Sequence, residues 1–210
     1  MNIELNKIQV DYIKSSSSEI WANDCIFESG KIYHIVAPSG KGKSSLIQLL
    51  YGINQAYAGD YLIQKSSVKN ISLEDWSARR TNQLSIVFQD LKLMPNITAF
   101  ENIEIKRILS PHHPTEKIME MANRLCIDHI IQKKTNTLSY GERQRVAIIR
   151  ALMQPFECLL LDEAFSHLDE NNIRLASELI LEEVQSRKAT LISADLEPHS
   201  PFPYNQIFSL

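Results

Sequence analysis

The sequence predicts an α/β fold built on a mainly parallel sheet, and three observations lead there. Short apolar runs of strand length recur at 30–37 (GKIYHIVA), 84–88 (LSIVF) and 158–161 (CLLL). Stretches of helical periodicity lie between and after them, notably from Lys43 to Gly52 and from Gly141 to about Met153. Strands that alternate with helices imply parallel pairing, with the helices covering the faces of the sheet.

The elements follow in chain order. Residues 2–10 alternate, with Ile3, Leu5, Ile8 and Val10 spaced as a strand with a bend would space them. Residues 14–18 (KSSSS) form a polar turn. The strand at 30–37 runs into a Pro/Ser/Gly loop and then into the helix from Lys43. Gly59 and Asp60 start a further β-like stretch, YLIQ. After the strand at 84–88 the pattern turns helical from Thr98 to about Asp128, broken at SPHHP (Ser110 to Pro114), which reads as a small helical subdomain. The long helix from Gly141 precedes the strand at 158–161, which ends in Asp162 and Glu163. A helix from about Glu170 to Arg187 and the strand Ala189 to Ser193 follow. SPFPY is irregular, and QIFSL gives a last strand.

Bulk properties narrow the function. At 210 residues the chain suits one well-cored domain, and 44% hydrophobic with 22% charged residues is ordinary for a globular protein. A net charge of −3 gives no basic excess for a nucleic-acid backbone, so none is expected as a partner. No apolar run approaches the roughly 18 residues of a membrane span, and the N-terminus does not resemble a signal peptide. Cys25, Cys126 and Cys158 have no metal-ligand spacing and read as reduced, buried thiols of a cytoplasmic protein.

Two segments carry phosphate chemistry. The first is APSGKGKSS, comprising Ala37, Pro38, Ser39, Gly40, Lys41, Gly42, Lys43, Ser44 and Ser45. It follows a strand and opens a helix, the context in which such a loop cradles phosphates with its N–H groups. The helix N-terminus adds its positive end. Lys43 reaches the phosphate oxygens, and the Ser44 hydroxyl is a Mg²⁺ ligand. A plain Ser/Gly-rich turn is the competing reading. The second is CLLLDE (Cys158 to Glu163), an apolar strand ending in two acids. Asp162 holds Mg²⁺ through water, and Glu163 polarises the attacking water. Many strands end in acids, so this segment takes its weight from the first.

A third segment, LSYGERQR (Leu138 to Arg145), precedes the long helix and resembles the signature of the ATP-binding-cassette (ABC) family; GERQRVAIIRAL (Gly141 to Leu152) resembles the helix that follows it. The resemblance covers nearly the whole chain. It implies a P-loop NTPase core of ABC type with a mainly parallel sheet, an antiparallel β subdomain and a helical subdomain at about 91–140, all within a single ATP-binding domain over 1–210. It implies that Tyr12 stacks on adenine, and that Gln89, in VFQD, touches Mg²⁺ and links the core to the helical subdomain. SHLD (Ser166 to Asp169) matches the loop that crosses the dimer interface. The implied cofactors are ATP and Mg²⁺. The implied partners are a second ATP-binding subunit, whose ATP meets Ser139 and Gly141 of this one, and an integral-membrane permease reached through the groove near Gln89. The location implied is cytoplasmic, peripheral at the inner face of the membrane. VFQDLKLMPNITAFENI (Val87 to Ile103) looks most like the branch of lipoprotein release, macrolide efflux and cell division, whereas DEAFSHLD leans toward importers. The chain stops at Leu210, about where the family's terminal strand ends, with no regulatory domain expected.

Three positions depart from the pattern. Ala194, in LISADLEP, stands where the family has a histidine that contacts the γ-phosphate. Losing one such donor costs on the order of 3 kcal/mol of transition-state stabilisation, about 10²- to 10³-fold in rate. Neither His199 nor His167 is well placed in sequence to replace it. Tyr140 replaces a signature glycine, and Ala37 replaces the first glycine of the phosphate loop, each removing some backbone freedom. Two readings compete: a slow ATPase that energises a transporter or mechanotransmission complex, favoured by Lys43, Asp162 and Glu163, and a nucleotide-binding switch with little turnover, favoured by Ala194. A phosphate-loop kinase of another family leaves LSYGERQR unexplained.

Overall fold

The computed structural model describes residues 1–13, 18–197 and 201–210. All but Ser18 of the polar turn expected at 14–18, and His199, lie outside the described residues.

The described residues form two sheets. The first is antiparallel, in the order β2-β1-β4-β5, with β1 (Ile3–Gln9), β2 (Asp24–Phe27), β4 (Ala58–Ile63) and β5 (Ser66–Ser67). The bend anticipated in the first strand is a register shift between Asn6 and Gln9 against β4, with Lys7 at a φ of 52°. The second sheet is parallel, in the order β6-β7-β8-β3-β9. It comprises β3 (Ile32–Val36), β6 (Leu84–Val87), β7 (Cys158–Asp162), β8 (Thr190–Asp195) and β9 (Gln206–Ser209). Apolar cores cover both faces of this sheet, so the edge strand β6 and its inner neighbour β7 are buried at every position and read as unbroken apolar runs.

Six α-helices occur among the described residues: α1 (Lys43–Leu50), α2 (Leu73–Asn82), α3 (Ala99–Leu109), α4 (Glu116–Arg124), α5 (Tyr140–Leu152) and α6 (Glu170–Ser186). The helical stretch expected from Thr98 to Asp128 is two helices. Thr98 and Glu101 close a capping box at the start of α3, and SPHHP separates α3 from α4. The side chains of α3 and α4 share one apolar core with α5, α6 and β7 through Ile103, Ile118, Met121, Val146, Leu159 and Leu179. A second core lies on the other face of the parallel sheet and joins it to the antiparallel one, through Leu5, Phe27, Ile35, Leu46, Tyr61 and Ile192.

The burial expected of all three cysteines holds for Cys25 and Cys158 and fails for Cys126, which is exposed. Cys126 has a φ of 55°, and Ile127 N–H reaches back to Ala122 O at 2.9 Å. That is a left-handed helix stop, which turns Cys126 outward so that Ile127 can be buried. No helix among the described residues is long and apolar enough to cross a membrane.

Candidate nucleotide site

The phosphate loop leaves β3 and enters α1 through Gly42, which has a φ of 93°. That left-handed torsion is what calls for glycine there; a Cβ would also press on the Ile13 side chain, 2.4 Å from its Cδ1. No side chain caps α1, which leaves its first N–H groups directed at the loop. Ala37 is not among the residues of positive φ, so alanine fits the end of the strand without strain; its N–H reaches Asp195 O at 3.3 Å.

Lys43, only 4% exposed, folds across the loop. Its Nζ donates to Ala37 O at 2.7 Å and Pro38 O at 3.3 Å, and lies 3.4 Å from Glu163 Oε1. The Ser44 hydroxyl donates to Asp162 Oδ1 at 3.1 Å and lies 3.5 Å from Gln89 Oε1. Gln89 Nε2 donates to Glu163 Oε2 at 2.9 Å. The structure therefore brings together Lys43, Ser44, Gln89, Asp162 and Glu163, which come from the phosphate loop and the ends of β6 and β7.

Glu163 follows β7 with a φ of 49°, a left-handed torsion that costs about 1–3 kcal/mol for a non-glycine residue. Its N–H donates to Ala194 O at 2.9 Å, and its carbonyl accepts from Gln144 Nε2 at 3.3 Å. Gln144 Oε1 in turn accepts from His167 N–H at 3.3 Å. Sequence reasoning missed Gln144; the one available signal was an amide at a core-facing position of α5, where it is buried.

Asp162 is also buried, and burial pushes its carboxyl up to about 6 despite the opposing Ser44 hydrogen bond. Ser44, Gln89 and Asp162 offer a hydroxyl, an amide oxygen and one carboxylate. This is a sparse all-oxygen set of the kind Mg²⁺ completes with water and phosphate. No cluster of three His, Cys, Asp or Glu suited to a metal occurs among the described residues.

A cavity of about 240 Å³ is lined by Tyr12, Ser39, Gly40, Gly42, Lys43, Ser44, Ser45, Gln89 and Glu163. Tyr12 stands at its edge, 67% exposed, its hydroxyl accepting from Asn54 Nδ2 at 3.0 Å. Ser139 and Gly141 do not line this cavity. They sit at the N-terminus of α5, where the Ser139 hydroxyl and Glu142 form a capping box. A Cβ on Gly141 would lie 3.1 Å from His167 O, so glycine lets the helix approach the SHLD loop.

Ala194 is fully buried and pairs in register with Asp162 and with Ile35, on the sheet face under the phosphate loop. His34 pairs with Ser193 and so occupies the opposite face. Its Nε2 lies 3.2 Å from Asp195 Oδ2, and its ring stacks on Tyr204. His167 is exposed, edge-on to Tyr140.

The pattern of the ABC transporter family matches residues 23–166. The lipoprotein-releasing system ATP-binding protein LolD of Buchnera aphidicola is 35% identical over 156 residues, which cover 73% of this chain and 68% of that protein. The macrolide export ATP-binding/permease protein MacB of Pasteurella multocida is 33% identical over 189 residues, 88% of this chain but only 28% of that longer protein. The dimeric, post-hydrolysis state of the ATP-binding cassette MJ0796, bound to ADP and Pi, superposes with a TM-score of 0.81 at 23% identity, over 93% of this chain and 88% of that one. With the phosphate loop, the Asp162–Glu163 pair and LSYGERQR placed as described, the chain belongs to the ABC transporter family.

Proposed function

We propose that this chain is the ATP-hydrolysing subunit of a transporter or mechanotransmission complex, a single cassette over 1–210 with a helical subdomain at about 91–140. The convergence of Lys43, Ser44, Gln89, Asp162 and Glu163 carries the reading. Residues 37–45 cradle the phosphates, and Tyr12 stacks on the adenine. Ser44, Gln89 and Asp162 would hold Mg²⁺, which when bound neutralises phosphate charge. Glu163 accepts the proton of the attacking water, with its aim fixed by Lys43, Gln89 and its own backbone. Ser139 and Gly141, away from this cavity, meet the ATP of a second subunit, so that ATP joins the dimer and hydrolysis releases it.

The permease enters a groove of about 230 Å³ between α3, α5 and β6, lined by Tyr51, Phe88, Met94, Lys106 and Arg150 among others. Burial, with Arg150 and Arg80 nearby, holds the Lys106 ammonium below its ordinary range, and burial brings Arg150 down to about 10. Among the described residues neither cation has a carboxylate partner. An acidic side chain on the permease element suits them. The cassette then sits at the inner face of the membrane.

The alternative is a nucleotide-gated switch with little turnover. Ala194 favours it: the sheet face under the phosphate loop presents a methyl group there, and His34 faces away. Steady-state Mg-ATPase assays on wild type, Glu163→Gln and Ala194→His, with and without the membrane partner, separate the two. Wild-type turnover no greater than that of Glu163→Gln would sink the enzyme reading.

A further inference from the structure

Residue 140 has ordinary helical torsions as the first residue of α5, so glycine's freedom is not what the fold uses there. The tyrosine side chain instead joins three segments. Its hydroxyl donates to Gln89 O at 2.7 Å. Its ring stands edge-on to His167 of the SHLD loop, with centroids 4.2 Å apart. The Arg143 guanidinium lies 5.2 Å from the ring centroid. Beyond Gln89 the contacts continue to Glu163 Oε2 at 2.9 Å and to Ser44 Oγ at 3.5 Å. A side chain between Ser139 and Gly141 is thus two hydrogen bonds from the carboxylate that activates water. A glycine at 140 has no atoms with which to make this link.

We propose that Tyr140 is a positioning residue that ties the signature segment of each subunit to that subunit's own phosphate-loop site. Engagement of Ser139 and Gly141 by a second copy's ATP fixes the start of α5, the tyrosine hydroxyl holds the Gln89 backbone, and the Gln89 side chain is kept on Glu163. The two composite sites of a dimer are then coupled through one phenol in each chain. This rests on the ATP-joined dimer proposed above.

The test uses the full chain with Glu163→Gln, which prevents turnover, with and without Tyr140→Phe. The phenylalanine keeps the ring against His167 and removes one hydrogen bond. Two quantities are measured: binding of a fluorescent ATP analogue to dilute monomer, and ATP-dependent dimerisation by sedimentation. The expected result is analogue affinity within twofold of the parent and dimerisation weakened about five- to tenfold, the worth of a hydrogen bond. Dimerisation unchanged by Tyr140→Phe overturns the coupling. So does analogue affinity that falls in step with dimerisation, since the hydroxyl would then serve only its own pocket. A Glu163→Gln parent that never dimerises with ATP overturns the dimer reading and the coupling together, a result distinct from either of these.

Discussion

Asp162 and Glu183 are both buried carboxylates, and they are driven in opposite directions. Burial raises Asp162 to about 6, because one Ser44 hydroxyl is too little compensation. Burial also opposes the charge on Glu183, but the His113 and Arg187 contacts outweigh it and bring that group down to about 2. Arg187 Nη2 lies 2.6 Å from Glu183 Oε2, and His113 Nε2 lies 3.0 Å from it. Depth alone therefore does not decide the state of a buried acid; the partners do. The under-compensated acid lies beside Ser44, where the Mg²⁺ proposed above would supply the missing charge. The fully compensated one joins α6 to the loop between α3 and α4, where nothing further is needed.

The largest effect expected on this contrast is at the site. Glu163→Gln removes the proposed proton acceptor while keeping shape, so kcat should fall about 10²- to 10⁴-fold with nucleotide binding retained, as read by steady-state turnover beside equilibrium binding. At the other pole, Glu183→Ala leaves Arg187 buried without its carboxylate and should destabilise the fold by about 3–5 kcal/mol, measured by urea unfolding. A loss below 1 kcal/mol would mean that the Glu183 cluster contributes no more than a surface pair.

Acid titration sharpens the same point. Glu183 is depressed from an ordinary 4.5 to about 2, so its stabilisation is complete above 4.5 and is lost as pH falls through that value to 2, by about 3 kcal/mol. Unfolding curves at pH 5 and pH 2.5 should differ less in a Glu183→Gln variant than in wild type. The smallest effect lies at the signature turn. Ser139→Ala breaks the capping box of α5 at a cost of about 1 kcal/mol, visible as a drop in melting temperature of a few degrees.

The contrast also marks what the sequence could reveal. The phosphate loop, the acidic end of β7 and LSYGERQR are contiguous, and each states its chemistry in residues that adjoin one another. So do the apolar runs that became β3, β6, β7 and β8. The strand β2 is four residues long with two exposed, which is too short for alternation to register. Helix α2 buries only Trp76, so its apolar periodicity is absent; its legible signal is the Ser72–Asp75 capping box at its start. The Glu183 cluster and the Tyr140–Gln89 contact join residues 70 and 51 positions apart, distances at which pattern carries nothing.

The left-handed torsion at Glu163 has a consequence for which variants can ever occupy that position. Two independent filters act there, one on charge and one on shape. Valine, isoleucine and threonine are excluded by their own branching before any chemistry is asked of them, because that torsion is a genuine outlier for such residues. Asparagine and glycine pass the backbone filter and fail the proton-accepting one. Random mutagenesis at this codon should therefore yield two distinguishable classes of failure: chains that fold and bind but do not turn over, and chains whose folding is impaired before function can be scored.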